Sequence, residues 1–195
     1  MKLLFATKNL HKLQEVEKLL DGLRLFSLND FPDIPDVKEN GKTFLENARL
    51  KAESIHKKLK VPVLADDSGL EVEALNNGPG ILSKRYAGHQ ATDTDRIRKL
   101  LKELKDTPLA GRKARFICSM VLLTEKRTYQ VCGYCHGFIS FSPVGCNGFG
   151  YDPVFFLPDL DRTMAQMSMD EKNRISHRAN ALKKIKNILE TMNEA

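Results

Sequence analysis

The sequence predicts a mixed-sheet α/β domain. Two observations carry that class. Strand-like apolar runs alternate with amphipathic helical stretches through the first half of the chain, and two β-type runs follow one another in its middle. At 195 residues the chain is long enough for one domain with a sizeable core, or for one domain split into two lobes around a cleft. No repeat, low-complexity tract or linker interrupts it, so 1–195 is read as a single domain.

The elements follow in order. "KLLFA" at 2–6 is a short apolar strand, and "TKN" leads from it into a helix carrying Leu10, Leu13, Val16 and Leu19 or Leu20, closed by Asp21-Gly22. Asn9 is a good N-cap for that helix, with Lys12 in its first turn. A loop rich in Asp and Pro, "NDFPDIPDVKENGK", opens into the helix 43–59, where Thr43 and Glu46 suggest a capping box and Leu45, Ala48, Ala52, Ile55 and Leu59 mark one face. "PVLADDSGLEV" begins as a buried strand, and the Gly-Pro turn "NNGPGI" comes after it. The helix in 91–105 is capped at Thr92 with Asp95 and is apolar at Ile97, Leu100, Leu101 and Leu104. Strands are expected at 114–123 and 128–140, then the glycine loop "GCNGFGYDP" and an apolar "VFFL". One long basic helix is expected to close the chain, with Ile175, Ala179, Leu182, Ile185, Leu189 and Met192 along one side.

The 42% hydrophobic and 29% charged content is that of a globular protein, and no apolar run is long enough to span a membrane. "MKLLFATKNL" is too short and too soon charged to be a secretion signal, which points to a cytoplasmic protein. A net charge of +6 suits an anionic partner, either nucleic acid or a phosphorylated small molecule, although Lys183, Lys184 and Lys186 account for part of it as solvated surface. "CGYCH" matches a haem-attachment pattern by spelling. Its flanks alternate as a strand does, which sends residues three apart to opposite faces, so Cys132 and Cys135 cannot share a ligand and are read as reduced, buried thiols.

The chemistry sits at the junctions. Asp66 and Asp67 are adjacent carboxylates where an apolar strand gives way to Ser and Gly. Two like charges there imply a metal or an ammonium group, with a surface turn as the alternative. The strand, polar loop and helix start around Asn9 and Lys12 make an anion site, although a capped helix with a surface lysine would look the same. Lys51 borders the buried face of its helix, where a snorkelling lysine is equally at home. "SHR" at 176–178, with Lys172 ahead of it, adds donors, and Phe149 and Tyr151 sit among glycines at 145, 148 and 150 that permit close approach to a flat ligand. Together these supply carboxylates for a metal, cations for phosphates and an aromatic for a base, the inventory for a nucleoside triphosphate with Mg²⁺.

Seven blocks in order, "TKNLHKLQE", "TFLENARLKA", "ADDSGLEV", "PGILSKRYAG", "ARFIC", "GFGYDPVF" and "EKNRISHRANAL", make the chain resemble the inosine/xanthosine triphosphate pyrophosphatase family over nearly its whole length. The resemblance implies an elongated long mixed β-sheet flanked by helices, in two lobes with a central substrate cleft, assembled as a homodimer. It also implies hydrolysis of ITP, dITP, XTP and dXTP to the monophosphate and pyrophosphate. By the same resemblance Asp67, Lys12 and Lys51 are catalytic, and Glu39 and Asp67 hold Mg²⁺. Thr7, Lys8, Asn9, Leu10, His11, Lys12 and Ser68 bind substrate. Phe149 stacks on the purine, and Gly150, Tyr151, Asp152, Lys172, His177 and Arg178 complete the base and phosphate pocket, Arg178 and His177 as the donors to the base. Lys84, Cys146 and Asn147 depart from the family's usual small or hydroxyl residues, at positions outside that set. Two other classes compete. A pyrophosphatase for modified pyrimidines would not carry "GFGYDP" and "SHR" in these places, and a basic nucleic-acid-binding module would need a reader motif that the sequence lacks.

Overall fold

The computed structural model describes residues 2–20 and 22–193. Its helices and strands run β1 (Lys2–Phe5), α1 (Leu10–Leu19), β2 (Arg24–Ser27), α2 (Phe44–Leu59), β3 (Val63–Val72), β4 (Gly78–Pro79), α3 (Asp93–Glu103), β5 (Lys113–Leu123), β6 (Thr128–Ile139), β7 (Phe155–Leu157), β8 (Arg162–Thr163), α4 (Met169–Ile175) and α5 (His177–Asn193). They build an eight-stranded mixed sheet in the order β2-β1-β3-β5-β6-β7-β8, with β4 paired to β3. The expected α/β class with a long mixed sheet is therefore present. Asp21, expected to close α1, lies outside the described residues.

The chain divides into two compact units. One holds the described residues of Met1–Ser68, Cys118–Gly133 and His177–Ala195, the other Gly69–Ile117 and Tyr134–Ser176, so the boundaries fall inside β3, β5 and β6. In the first unit β1 pairs in parallel with β2, Lys2 opposite Arg24, and with β3, Leu4 opposite Val63. Parallel neighbours need helical crossovers, which α1 and α2 supply, and both faces of the sheet are covered. Strand alternation sorts the side chains. Leu3, Phe5, Leu64 and Met120 pack with Val16 of α1 and Leu182 and Ile185 of α5. Leu4, Val63, Ala65 and Val121 pack with Ala48, Ala52 and Ile55 of α2. Gly133 of β6 lies tight against α5, where a Cβ would strike the backbone of His177 and Ala181.

The second unit has its own core, in which Leu70 and Val72 of β3, Ile97 and Leu100 of α3, and Phe116 and Phe155 pack together, the last two rings 4.4 Å apart. β6, β7 and β8 form an antiparallel run there, Phe138 opposite Phe156 and Phe156 opposite Thr163. Arg112, almost fully buried, caps the end of α3 by donating to the carbonyls of Leu104 at 2.6 Å and Thr107 at 2.8 Å.

Four local expectations change. The single closing helix is two, broken at Ser176, whose ψ of 155° is extended, and Ile175 packs against the second unit's core. A serine competes with helix continuation, and Ser176 closes α4 with its N–H on the Lys172 carbonyl. The Thr43 box is half formed, since Glu46 accepts from Lys42 rather than from Thr43. Leu10 is exposed, so the buried stripe of α1 starts after it. Of the cysteines, Cys118 and Cys135 are buried, Cys132 is half-buried, Cys146 is exposed, and all are free.

Candidate active site

Asp66 and Asp67 lie in the middle of β3, which continues to Val72 rather than ending at the carboxylates. Their placement follows from the alternation of the core around them. Asp66 continues the row of Leu64, facing α1 and α5, and Asp67 continues the row of Ala65, facing α2. Each therefore meets a different set of partners, which is how two adjacent like charges coexist in a strand.

On the first face Lys12 of α1 donates to both oxygens of Asp66, at 2.9 and 2.8 Å. Arg178 of α5, 1% exposed, approaches the same carboxylate at 3.4 Å, pairs with Glu15 of α1, and reaches the Ser68 hydroxyl at 3.3 Å. Ser68 donates its own hydroxyl to Asp66 at 2.8 Å. Burial alone would raise the Asp66 carboxyl, but Lys12, Arg178 and Lys51 outweigh it and hold it well below the usual carboxylate range. Cys118, also on this face, is pushed up to about 12 by burial and by Asp66, and is an inert thiol. His177, the first residue of α5, is buried in this unit.

On the second face Asp67 accepts from the Asn47 amide at 2.9 Å. Burial raises the Asp67 carboxyl, against the opposing pull of Lys51 and of Asn47. Lys51 is 9% exposed and ends on Glu39 at 3.1 Å, so it points inward instead of snorkelling. Burial works to lower the Lys51 ammonium, and Asp66, Asp67 and Glu39 together reverse it and hold it raised. The Asn47 oxygen accepts the Gly41 N–H at 2.8 Å, tying the loop that carries Glu39 to the helix that braces Asp67.

The β1–α1 loop folds on itself. The Asn9 side chain caps α1 by accepting from Lys12 N at 3.2 Å, and the Thr7 hydroxyl accepts from Asn9 N at 3.1 Å. Lys8 pairs at the surface with Asp36, and Leu10 and His11 are exposed at the helix start. The first unit thus gathers Lys12, Lys51, Glu39, Asp67, Ser68 and Arg178. Among the described residues no group of three or more His, Cys, Asp or Glu side chains is arranged as a ready metal cage.

The second unit gathers the rest. Lys172 of α4 donates to Asp152 at 2.6 Å, both side chains buried, and its ammonium lies 4.7 Å from the centre of the Phe149 ring. Asp152 also accepts the Phe149 N–H at 2.9 Å. Gly148, at φ +75°, passes so close to the Asp152 carboxylate that any Cβ would strike it. Tyr151 is buried and donates its hydroxyl to Ser83 O at 2.8 Å, leaving Phe149 as the partly exposed ring beside Gly150.

Two polar residues were not singled out from sequence: Glu15 as the partner of Arg178, and Asn47 as the brace of Asp67. Glu15 carried no signal between Leu13 and Val16. Asn47 did, since it lies one residue from Ala48 on the buried face of α2, where an amide needs a partner.

The chain is 48% identical over 183 residues to the dITP/XTP pyrophosphatase of Halalkalibacterium halodurans, covering 92% of this chain and 94% of that one. It is 50% identical over 186 residues to the dITP/XTP pyrophosphatase of Geobacillus kaustophilus, covering 94% and 91%. The solved structure of a HAM1 protein from Coxiella burnetii superposes with a TM-score of 0.90 at 40% identity, over 100% of both chains. The Ham1 family model matches residues 3–188, and the chain belongs to the Ham1 family.

Proposed function

We propose that the chain hydrolyses the aberrant purine nucleoside triphosphates ITP, dITP, XTP and dXTP to the monophosphate and pyrophosphate, removing deaminated purines before they enter DNA or RNA. The observation that carries this reading is the charge pattern in the first unit. A buried carboxylate, Asp67, whose pKa burial raises, stands with Lys12 and Lys51 in a cluster that offers both a base and phosphate ligands. High-coverage likeness to dITP/XTP pyrophosphatases supports the substrate class.

The donor set fits Mg²⁺. Glu39 and Asp67 offer hard carboxylate oxygens, and a buried carboxylate with a raised pKa gains from an added cation. Mg²⁺ held by these two would polarise phosphate oxygens and help neutralise their charge. Asp67 orients a water and takes its proton as the water oxygen bonds to the α-phosphorus. The bond from that phosphorus to the bridging oxygen breaks, and pyrophosphate leaves with the electron pair. Lys12, Lys51, Thr7, Asn9 and the amides at the start of α1 hold the phosphate oxygens and the charge that grows on the leaving group. The side chains of Lys8, Leu10 and His11 edge this site, and Ser68 contributes its hydroxyl.

Phe149 stacks on the base, with Gly150, Tyr151, Asp152 and Lys172 shaping its surroundings. The contacts of Arg178 with Glu15, Asp66 and Ser68 favour a role in holding the carboxylate cluster over direct donation to the base. A site offering donors to O6 accepts hypoxanthine and xanthine and leaves adenine mismatched, which suits an enzyme working amid ATP. The same family reading carries a homodimer in the cytoplasm with no nucleic-acid or membrane partner. Among the described residues, no helix is long and apolar enough to cross a membrane.

The test is turnover of dITP and dATP with and without Mg²⁺. The expected result is Mg²⁺-dependent hydrolysis of dITP strongly preferred over dATP. Asp67→Asn should lower turnover about 10²–10⁴-fold from loss of the base alone, with a normal thermal melt. Near-normal activity in Asp67→Asn at saturating Mg²⁺ would remove that residue from the mechanism.

A further inference from the structure

The loop that carries Phe149 is anchored from outside at a residue that none of the site motifs contains. Three successive residues of the loop are tied down. Phe149 N–H donates to Asp152 within the loop, at 2.9 Å. Gly150 N–H donates to Asp93 Oδ2 at 2.7 Å, across 57 residues of sequence. The Tyr151 hydroxyl donates to Ser83 O at 2.8 Å, and the Ser83 hydroxyl accepts the Leu70 N–H at 2.9 Å.

Asp93 is the first residue of α3, where an acid is ordinarily explained by the helix dipole. Here that explanation falls short. Thr92 and Asp95 already form the complete capping box, so Asp93 is not needed to close the helix start. One Asp93 oxygen is turned to the Gly150 amide, and the other pairs with Arg96. Arg96 is itself held, by the carbonyls of Ala91 at 2.6 Å and Lys84 at 2.9 Å. A carboxylate fixed by an immobilised guanidinium is a rigid acceptor. The loop needs such an anchor, because glycines at φ +75° and +66° flank Phe149 and would otherwise let its backbone pivot.

We infer that Asp93, held by Arg96, is a positioning residue that fixes the backbone presenting the Phe149 ring, and so sets the affinity for the nucleobase and not for the phosphates. The inference rests on the reading of Phe149 as the stacking ring. It also accounts for the placement of "ATDTDR" beside the glycine loop, which helix capping alone does not require.

Calorimetric binding of inosine monophosphate, which carries the base, and of inorganic pyrophosphate, which does not, separates the possibilities. The proteins compared are wild type, Asp93→Ala, Phe149→Ala and the double variant, with a thermal melt of each. Losing a hydrogen bond to a charged acceptor predicts about tenfold weaker inosine monophosphate binding in Asp93→Ala, with pyrophosphate binding unchanged. In the Phe149→Ala background the further loss should be below about twofold, because the two act through one ring. Should Asp93→Ala melt below the assay temperature, Asp93→Asn carries the comparison. It keeps one acceptor oxygen where two are used, and should show a smaller loss confined to inosine monophosphate. Equal losses for both ligands, no loss in either Asp93 variant, or full additivity with Phe149→Ala would each overturn the inference. Phe149→Ala binding inosine monophosphate as wild type does would overturn the stacking reading as well. A loss in Phe149→Ala without one in Asp93→Ala would leave the stacking reading intact and sink only the role of Asp93.

Discussion

Replacing Arg178 by alanine distinguishes a buried clamp from a base reader. Arg178 is 1% exposed and Glu15 is 4% exposed, and the guanidinium joins Glu15 to Asp66 inside the first unit. Removing one partner of a buried ion pair costs about 3–5 kcal/mol, because the other charge stays behind in a poor solvent for it. Asp66 keeps Lys12 at 2.8 Å, so its share of the loss is partly covered, and Glu15 bears more of it. The expectation is about 3–4 kcal/mol. At roughly 2–4 °C per kcal/mol for a chain of this size, Tm should fall by about 6–16 °C. The assay is urea unfolding of Arg178→Ala, Glu15→Leu and the double variant, with dITP and dATP turnover measured alongside. Removing both charges should recover much of the loss, giving a coupling energy above about 1 kcal/mol. A loss below about 1 kcal/mol, or additive single variants, would refute the clamp. A collapse of the dITP to dATP ratio with stability intact would assign Arg178 to the base, as the sequence resemblance implies.

Two further outcomes follow from single side chains. Asn47→Ala removes a fully buried amide that donates to Asp67 at 2.9 Å and accepts from Gly41 at 2.8 Å. Urea unfolding should show a loss of about 2–3 kcal/mol, and ITP turnover should fall at least about tenfold as Asp67 and the Glu39 loop lose their common brace; unaltered turnover would contradict that role. Glu171 is held down to about 2 by the Ser168 amide first, then by Arg162 and the Ser168 hydroxyl. Its folded pKa is below its ordinary 4.5, so it stabilises the fold above that value and loses this contribution as pH falls toward about 2. The advantage of wild type over Glu171→Gln in thermal midpoint should therefore shrink across that window and stay level above it; a pH-independent gap would contradict the assignment.

Much of the fold could be read from sequence because its signals are local. Asn9 caps α1, and Thr92 with Asp95 forms the predicted box on α3. Ala48, Ala52 and Ile55 form the predicted buried face of α2. What escaped depends on partners far along the chain. Asp66 and Asp67 look like a strand end because nothing nearby in sequence could neutralise them, yet Lys12 lies 54 residues away and Arg178 112 residues away from Asp66. Glu15 looks like a solvated residue for the same reason, since its buried status is set by an arginine 163 residues on. Lys51 could not be told from a snorkelling lysine until Glu39 was found at its tip. The break at Ser176 was hidden by an apolar period that runs through Ile175 and Ala179 without a proline or glycine to interrupt it.

In the proposed mechanism water attacks the α-phosphorus at a site where Asp67 takes its proton. Hydrolysis of dITP in ¹⁸O-labelled water, with the products separated and weighed by mass spectrometry, tests it most directly. The expected products are deoxyinosine monophosphate carrying one ¹⁸O and unlabelled pyrophosphate. Labelled orthophosphate with deoxyinosine diphosphate, or label in the pyrophosphate, would contradict it.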